Sequence, residues 1–275
     1  MGNYKPYKDR GHTRMVNPDE YQVFDGAAFK KINYLDKWFM DLLGDDYEEY
    51  QSPALIAEDI LVKCGYFSSF PHQITVAAPI TPNFYEEIVE HKAVSREHLS
   101  NRRMYLLPAA CLHIYPLFWN KIDITTKIIT TKAQVFRCEE EFDRSTRLWN
   151  FNIREIVFIG ERDFVLEKLE EFQRRSLVLA QKVSSDAEMK SAVDNFYPTS
   201  KNKVKEKIQK ASNLKHELII SVKNVDVAIA SFNYHHTHFS QAFNFDRNSR
   251  IVTGCVGYGM ERWLAACMEH NFSFA

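Results

Sequence analysis

Two short stretches of the chain combine residue types that can handle phosphate. The first is Phe136-Arg137-Cys138-Glu139. A guanidinium at the end of a strand can hold a phosphate bidentately. A carboxylate beside it can hold an adenine amine or a substrate ammonium. Taken alone, such a pair is more often a solvated surface pair. The second is Gly254-Cys255-Val256-Gly257-Tyr258-Gly259-Met260-Glu261-Arg262-Trp263. Alternating glycines let a ligand or another backbone approach closely, and Arg262 falls on the first turn of the next helix, within reach of a triphosphate. A tight strand–helix turn with a surface arginine is the plain alternative, and the pattern by itself does not separate the two. The familiar nucleotide loops are missing: the sequence has neither GxxxxGK[ST] nor GxGxxG between a strand and a helix.

The elements around these stretches can be read from periodicity. Phe29, Ile32, Leu35, Trp38, Phe39 and Leu42 recur at three- and four-residue steps, which predicts a helix over residues 27–43. A short strand over 47–52 follows, ended by Pro53. Residues 55–62 read as a second helix, 65–78 as turn and strand, and 82–99 as helical but highly charged. Residues 103–115 are apolar and include a buried strand. The runs 133–139 and 151–159 read as two strands joined by a long polar loop, 140–150. A helix spans 163–183, and residues 184–204 read as loop. Strands follow at 218–222, 225–231 and 251–254, and a helix starts at Met260. Strands and helices do not alternate regularly. A mixed, largely antiparallel sheet flanked by helices, an α+β fold, is therefore expected rather than a doubly wound one.

The chain has 275 residues and a formal net charge of −1, so no global basic field draws in nucleic acid. Residues 1–25 read as a polar arm and 26–275 as one domain. Five widely spaced cysteines argue against a disulfide framework and for a reduced, cytoplasmic protein. The N-terminus holds no apolar run of the kind a secretory signal needs. No stretch approaches the ~18 apolar residues of a membrane span.

Together, the two phosphate-handling stretches resemble motifs 2 and 3 of the class II aminoacyl-tRNA synthetases. Motif 2 is a strand bearing Phe-Arg-x-Glu, a loop and a second strand. Motif 3 is a glycine-rich strand running into a helix that begins Glu-Arg. Motif 1, a long helix, a strand and a proline, matches residues 29–43, 47–52 and Pro53. The resemblance covers roughly residues 25–270. It implies a class II catalytic core, a homodimer built on motif 1, and ATP held bent by Arg137 and Arg262, with Glu139 beside it.

A closer resemblance runs to the seryl-tRNA synthetase branch, through Ala230-Ser231-Phe232-Asn233-Tyr234-His235. Within that branch it runs to the atypical archaeal members and their truncated relatives, the amino acid:[carrier protein] ligases. The phrase Thr131-Lys132-Ala133-Gln134-Val135-Phe136-Arg137-Cys138-Glu139 is similar to the latter. Those proteins bind a catalytic zinc through Cys, Glu and Cys, which here match Cys111, Glu155 and Cys255. Two thiolates and a carboxylate leave an open fourth position for an amino group. Without the resemblance, ligands so far apart would not register, and each cysteine alone would read as a small buried hydrophobe. Ser231, Asn233 and His235 are the implied substrate contacts. Glu217 and Ser231 are the magnesium-side candidates. The seryl enzymes place a Glu just before the Ser-rich segment, where this chain has Ala228. His236 and His238 would share one face if that piece were a strand, a rival metal reading.

The resemblance thus implies activation of a small amino acid with ATP, Mg2+ and Zn2+, through an aminoacyl-adenylate. Only about 25 residues precede motif 1, and no basic block or sustained heptad is present. The expected acceptor is therefore the phosphopantetheine thiol of a carrier protein, with tRNA unlikely, and Lys201, Lys203, Lys205 and Lys207 are candidate docking charges. The alternatives are a seryl-type tRNA ligase core working with a separate tRNA-binding partner, or a non-catalytic paralogue that binds an amino acid.

Overall fold

The computed structural model describes residues 24–121, 124–138, 143, 146–245 and 250–274. Helix α1, Gly26–Met40, starts where the Asp25 carboxylate accepts a hydrogen bond from the Ala28 amide at 2.8 Å. Its predicted apolar stripe buries Ile32, Leu35 and Phe39 within the chain and leaves Phe29 exposed. Strand β1 (Glu48–Gln51) follows. A smaller three-stranded sheet is built from β2 (Leu55–Ile56), β3 (Val76–Ala77) and β4 (Met104–Leu106). Between its strands lie α2 (Glu58–Lys63), α3 (Tyr66–Ser69) and α4 (Tyr85–His91). Two 3-10 turns, Ala110–His113 and Tyr115–Phe118, lead to the long hairpin of β5 (Lys127–Phe136) and β6 (Asn150–Glu161). The rest comprises α5 (Arg162–Gln181), β7 (Glu188–Ser191), α6 (Ser200–Ala211), β8 (Lys215–Val222), β9 (Val225–His236), α7 (His238–Ala242), β10 (Ile251–Gly259) and α8 (Met260–Glu269).

The main sheet has seven strands in the order β1-β5-β6-β10-β9-β8-β7. Only the edge pair β1–β5 is parallel. Helices α1, α5 and α8 cover one face, with Phe39, Phe158, Phe172, Tyr258 and Trp263 in that core. Phe39 stacks on Tyr258 with ring centroids 4.3 Å apart. The other face is covered by the 3-10 turns and α7, through Tyr115, Phe239 and Phe243. Strand β6 lies between these two cores and is buried continuously from Ile153 to Gly160. This explains its near-unbroken apolar run.

The α+β expectation and the order of the main elements hold. Several local readings change. Residues 55–62 contain a two-residue strand before a short helix, because Leu55 and Ile56 pair with Leu106 and Tyr105. The segment read as loop at 184–204 holds β7 and the start of α6, whose N-cap Thr199 accepts from the Asn202 amide. The arm ends in residues 1–23, which lie outside the described residues. Among the described residues, no helix is long and apolar enough to cross a membrane.

Arg154 ties motif 1 to this sheet. It sits on β6, 3% exposed, and its guanidinium donates to both Asp36 carboxylate oxygens on α1, at 2.8 and 2.9 Å. A third bond, 2.7 Å long, reaches Glu49 on β1. Burial alone would raise the Asp36 carboxyl, but Arg154 and then Lys132 outweigh it and hold the carboxyl below its usual range. A carboxyl depressed in the folded state contributes stability that is present above its unfolded value of 3.8 and is lost as pH falls through the folded value. Asp36→Asn should therefore lower the urea midpoint at pH 7 and narrow the gap between midpoints measured at pH 7 and pH 3.

Candidate functional site

The face of the sheet opposite α1, α5 and α8 collects most of the residues singled out in the sequence. Cys111 comes from the first 3-10 turn, Glu155 from β6 and Cys255 from β10. Their ligand atoms all lie within 4.8 Å of one another, and all three residues are buried. Alternation puts Glu155 on the face opposite Arg154, so one strand carries a structural ion pair on one side and a polar cluster on the other. The Cys111 amide donates to Glu155 Oε2 at 2.9 Å, which brings the 3-10 turn onto β6.

The electrostatics of this cluster favour a cation. The Cys255 thiol is raised well above its ordinary value by its hydrogen bond to Cys111, then by burial and the Glu155 charge. At Cys111 the bond to Cys255 pulls the other way, but burial and Glu155 prevail and the thiol is raised. Two buried thiols raised in this way become thiolates only when a positive charge sits among them. The donor set fits a thiophilic divalent ion such as zinc, and a hard cation poorly.

Beside this cluster, β9 presents Ser231, Asn233 and His235, all half-buried. Asn233 lies opposite Cys255 in register, and its side-chain amide donates to Ser231 Oγ at 3.1 Å. Glu217 on β8 is the cross-strand neighbour of Ser231, so the two magnesium-side candidates stand together. Lys215 carries no sequence signal of its own. It is buried and binds Asp194 and Glu217, each at 2.9 Å. Burial would lower its ammonium, but the two carboxylates outweigh that and raise it. Gln209 of α6 in turn donates to Asp194.

Arg137 and Arg262 line one open cleft with about 310 Å³ of empty space, together with Thr146, Leu148, Phe151, Gly259 and Glu261. Arg137 donates to the Pro108 carbonyl and lies 5.4 Å from the centre of the Phe151 ring. Arg262 donates to the carbonyls of Thr146 at 2.7 Å and Ala228 at 3.0 Å. Phe151, read from sequence only as a strand start, offers an aromatic face on which a base can stack. Glu261, the other half of the Glu-Arg pair, is taken up by a structural contact at the edge of this cleft. It is buried, and it accepts the Asn152 amide and side chain at 2.7–2.9 Å, pinning β6 to α8.

Glu139 and residues 140–142, 144 and 145 of the loop after it lie outside the described residues. The rival histidine reading fails. β9 ends at His236, whose φ is +51°, and His238 already begins α7, with its Nε2–H donating to the Cys64 carbonyl at 3.0 Å. His236 and His238 therefore share no strand face.

No family model matches the chain. The type-2 serine–tRNA ligase of Methanocaldococcus jannaschii is 26% identical over 250 residues, covering 83% of this chain and 48% of that protein. The M. kandleri SerRS, solved in complex with A. aeolicus tRNASec, superposes with a TM-score of 0.75 at 18% identity, over 94% of this chain and 55% of that one. The cytoplasmic serine–tRNA ligase of Naegleria fowleri, in complex with AMP, gives 0.67 at 12% identity, over 92% and 51%. The fold is that of a class II aminoacyl-tRNA synthetase catalytic core. The chain spans about half the length of the curated relatives it matches. These relatives are named as tRNA ligases, which conflicts with the expectation that tRNA is an unlikely acceptor.

The glycines of β10 differ in what they allow. A Cβ on Gly254 would meet Val165 and Leu169 of α5 at 2.9 Å and the Asn233 carbonyl at 3.2 Å, a wall that includes backbone. A Cβ on Gly257 would meet the end of the Ile153 side chain at 2.9 Å, which can turn aside. Gly254→Ala should cost about 1–3 kcal/mol, the usual range for overpacking, and Gly257→Ala clearly less. Denaturant titration of both variants checks the order.

Proposed function

We propose that this class II synthetase-type core activates a small amino acid with ATP, and that serine, the residue named by its relatives, is the first to test. The observation that carries the proposal is the adjacency of two sites on one sheet face. One is the Cys111–Glu155–Cys255 cluster. The other is the Arg137–Arg262 cleft. β10 contributes to both.

The chemistry follows from what each residue offers. Phe151 stacks the adenine. Gly259 presents backbone without a side chain to the cleft, so the nucleotide can lie against the end of β10. Arg137 and Arg262 neutralise phosphate charge as it builds, and Glu139 is the residue that the motif 2 resemblance assigns to ATP. Ser231 and Asn233 orient the amino acid. Its carboxylate oxygen attacks the α-phosphorus in line, the bond to the β-phosphate oxygen breaks, and pyrophosphate leaves. No protein nucleophile is needed; positioning and electrostatics suffice. Zinc held by Cys111, Glu155 and Cys255 would supply a Lewis-acidic position for the α-amino group. Magnesium beside Glu217 and Ser231 would supply further phosphate neutralisation. Lys215 holds Glu217 in place.

The adenylate then passes its acyl group to an acceptor, whose nucleophile attacks the carbonyl carbon and releases AMP. The relatives favour the tRNA ligase reading, with a hydroxyl of tRNA as acceptor. The motif 2 phrase from Thr131 to Glu139 favours the thiol of a phosphopantetheinylated carrier protein instead. A homodimer through α1 and the sheet-edge strand β1 belongs to the same proposal.

Serine-dependent exchange of pyrophosphate into ATP tests the first half-reaction, with glycine and alanine run beside it. Arg137→Ala and Arg262→Ala should each lower exchange by roughly 100-fold or more, the scale for losing one transition-state donor, while zinc content stays unchanged. Exchange in neither wild type nor variants, with any amino acid, would leave the binding paralogue standing. Incubation with total tRNA and with holo-carrier protein in parallel decides the acceptor.

Elemental analysis of the purified protein should find one zinc per chain. Cys111→Ser and Cys255→Ser should lose both zinc and exchange, because a hydroxyl is a poorer zinc ligand than a thiolate.

A further inference from the structure

Strand β9 carries one residue too many for its partner. Thr253 of β10 pairs with His236 and Gly254 pairs with Tyr234, so His235 has no partner across the ladder. A bulge of this kind re-aims the side chain of the unpaired residue. Here His235 keeps the face of Asn233, which pairs with Cys255, and its imidazole meets the cysteine cluster. His235 Nε2 lies 3.6 Å from Cys255 Sγ. Nδ1 meets Thr253 Oγ1 at 3.2 Å and the Tyr115 hydroxyl at 3.4 Å. Tyr115 is fully buried, with its hydroxyl close to the Cys111 and Cys255 thiols. Phe239 fixes both rings: it stacks on Tyr115 at 3.8 Å and meets His235 edge-on at 4.9 Å.

Each thiol therefore has a polar companion that is not itself part of the cluster. His235 does not belong to the group whose ligand atoms all lie within 4.8 Å of one another. Its Nδ1 faces two hydroxyls, and Thr253 is buried with its proton in need of an acceptor. Accepting at Nδ1 leaves the ring proton on Nε2, aimed at sulfur.

We infer that His235 is a positioning residue whose Nε2–H donates to the Cys255 sulfur and, with the Tyr115 hydroxyl on Cys111, holds both thiolates in place for a metal. This rests on the zinc reading given under the proposed function. It assigns His235 to the back of the metal site, behind the sulfur, and not to the ligand set. Partners of this kind orient ligands and stabilise their charge, and losing one weakens metal binding by about 10- to 100-fold.

The test uses the full chain loaded with zinc, and separately with cobalt(II). Wild type, His235→Ala, His235→Gln and Tyr115→Phe are compared for bound metal, for zinc release to a chromogenic chelator, and for the cobalt spectrum. The expected result is release about 10-fold or more faster in His235→Ala, with a shifted sulfur-to-cobalt charge-transfer band and d–d bands that keep their intensity. His235→Gln, whose amide still donates, should recover much of the loss, and Tyr115→Phe should show a smaller increase. Wild-type release rates in His235→Ala would overturn the inference while leaving the zinc site intact. A collapse of the d–d bands would overturn it by making His235 a ligand. Wild type that binds no zinc would overturn this inference and the zinc reading together. If His235→Ala does not fold by circular dichroism, Tyr115→Phe, which removes a single oxygen, decides: faster release supports the inference and unchanged release overturns it.

Discussion

A guanidinium buried to 3% exposure between a helix and a sheet has to be matched, and the architecture is arranged around matching Arg154. Asp36 grips it with two oxygens and Glu49 with one, so α1, β1 and β6 are fixed relative to one another by a single side chain. Breaking such a buried pair from one side typically costs ~3–5 kcal/mol, because the stranded charge stays buried. The next residue, Glu155, points to the opposite face and enters the cysteine cluster. The helix packing on one side and the placement of a candidate ligand on the other are thus set by consecutive residues of one strand.

The cluster and the cleft meet on β10. Cys255 reaches the cysteine pair, and four residues later Gly259 opens the cleft where Arg262 sits. Between them Gly257 makes room for the Ile153 side chain of β6, and behind them Gly254 lets α5 approach to a distance no side chain would permit. The three glycines of this strand therefore do different things: one admits a helix, one admits a side chain of the neighbouring strand, and Gly259 lines the cleft. Glu261 adds the fourth constraint by clamping Asn152, so the two arginine-bearing segments on either side of the cleft keep their spacing.

Much of this was legible in the sequence because it is written in short, local terms. Phe136-Arg137, Glu261-Arg262 and the glycine alternation sit within a few residues each, and the apolar period of α1 and α5 is plain. The ligand set Cys111, Glu155 and Cys255 was legible only through resemblance, since no spacing rule links residues so far apart. What stayed hidden depends on tertiary pairing. Strand β7 is four residues of mostly exposed polar character and exists because β8 pairs with it. The Lys215–Asp194 pair joins residues 21 positions apart through a helix that composition alone made look like loop. Phe151 gains its meaning only when the hairpin brings it under Arg137. The rejected pairing of His236 with His238 assumed unbroken alternation past the end of the strand.

The extra residue in β9 also means that this strand is out of phase with itself. Side chains up to Tyr234 follow one alternation, and those after His235 follow another. A comparison that carries strand positions across from a relative with a regular β9 would be offset by one place from that point onward. It would set His235 opposite Thr253, the place that the hydrogen-bond register here gives to His236, although His235 is the side chain beside Cys255. Transfer of site residues along this segment therefore has to be checked against each side chain's own contacts, since register and residue count disagree there.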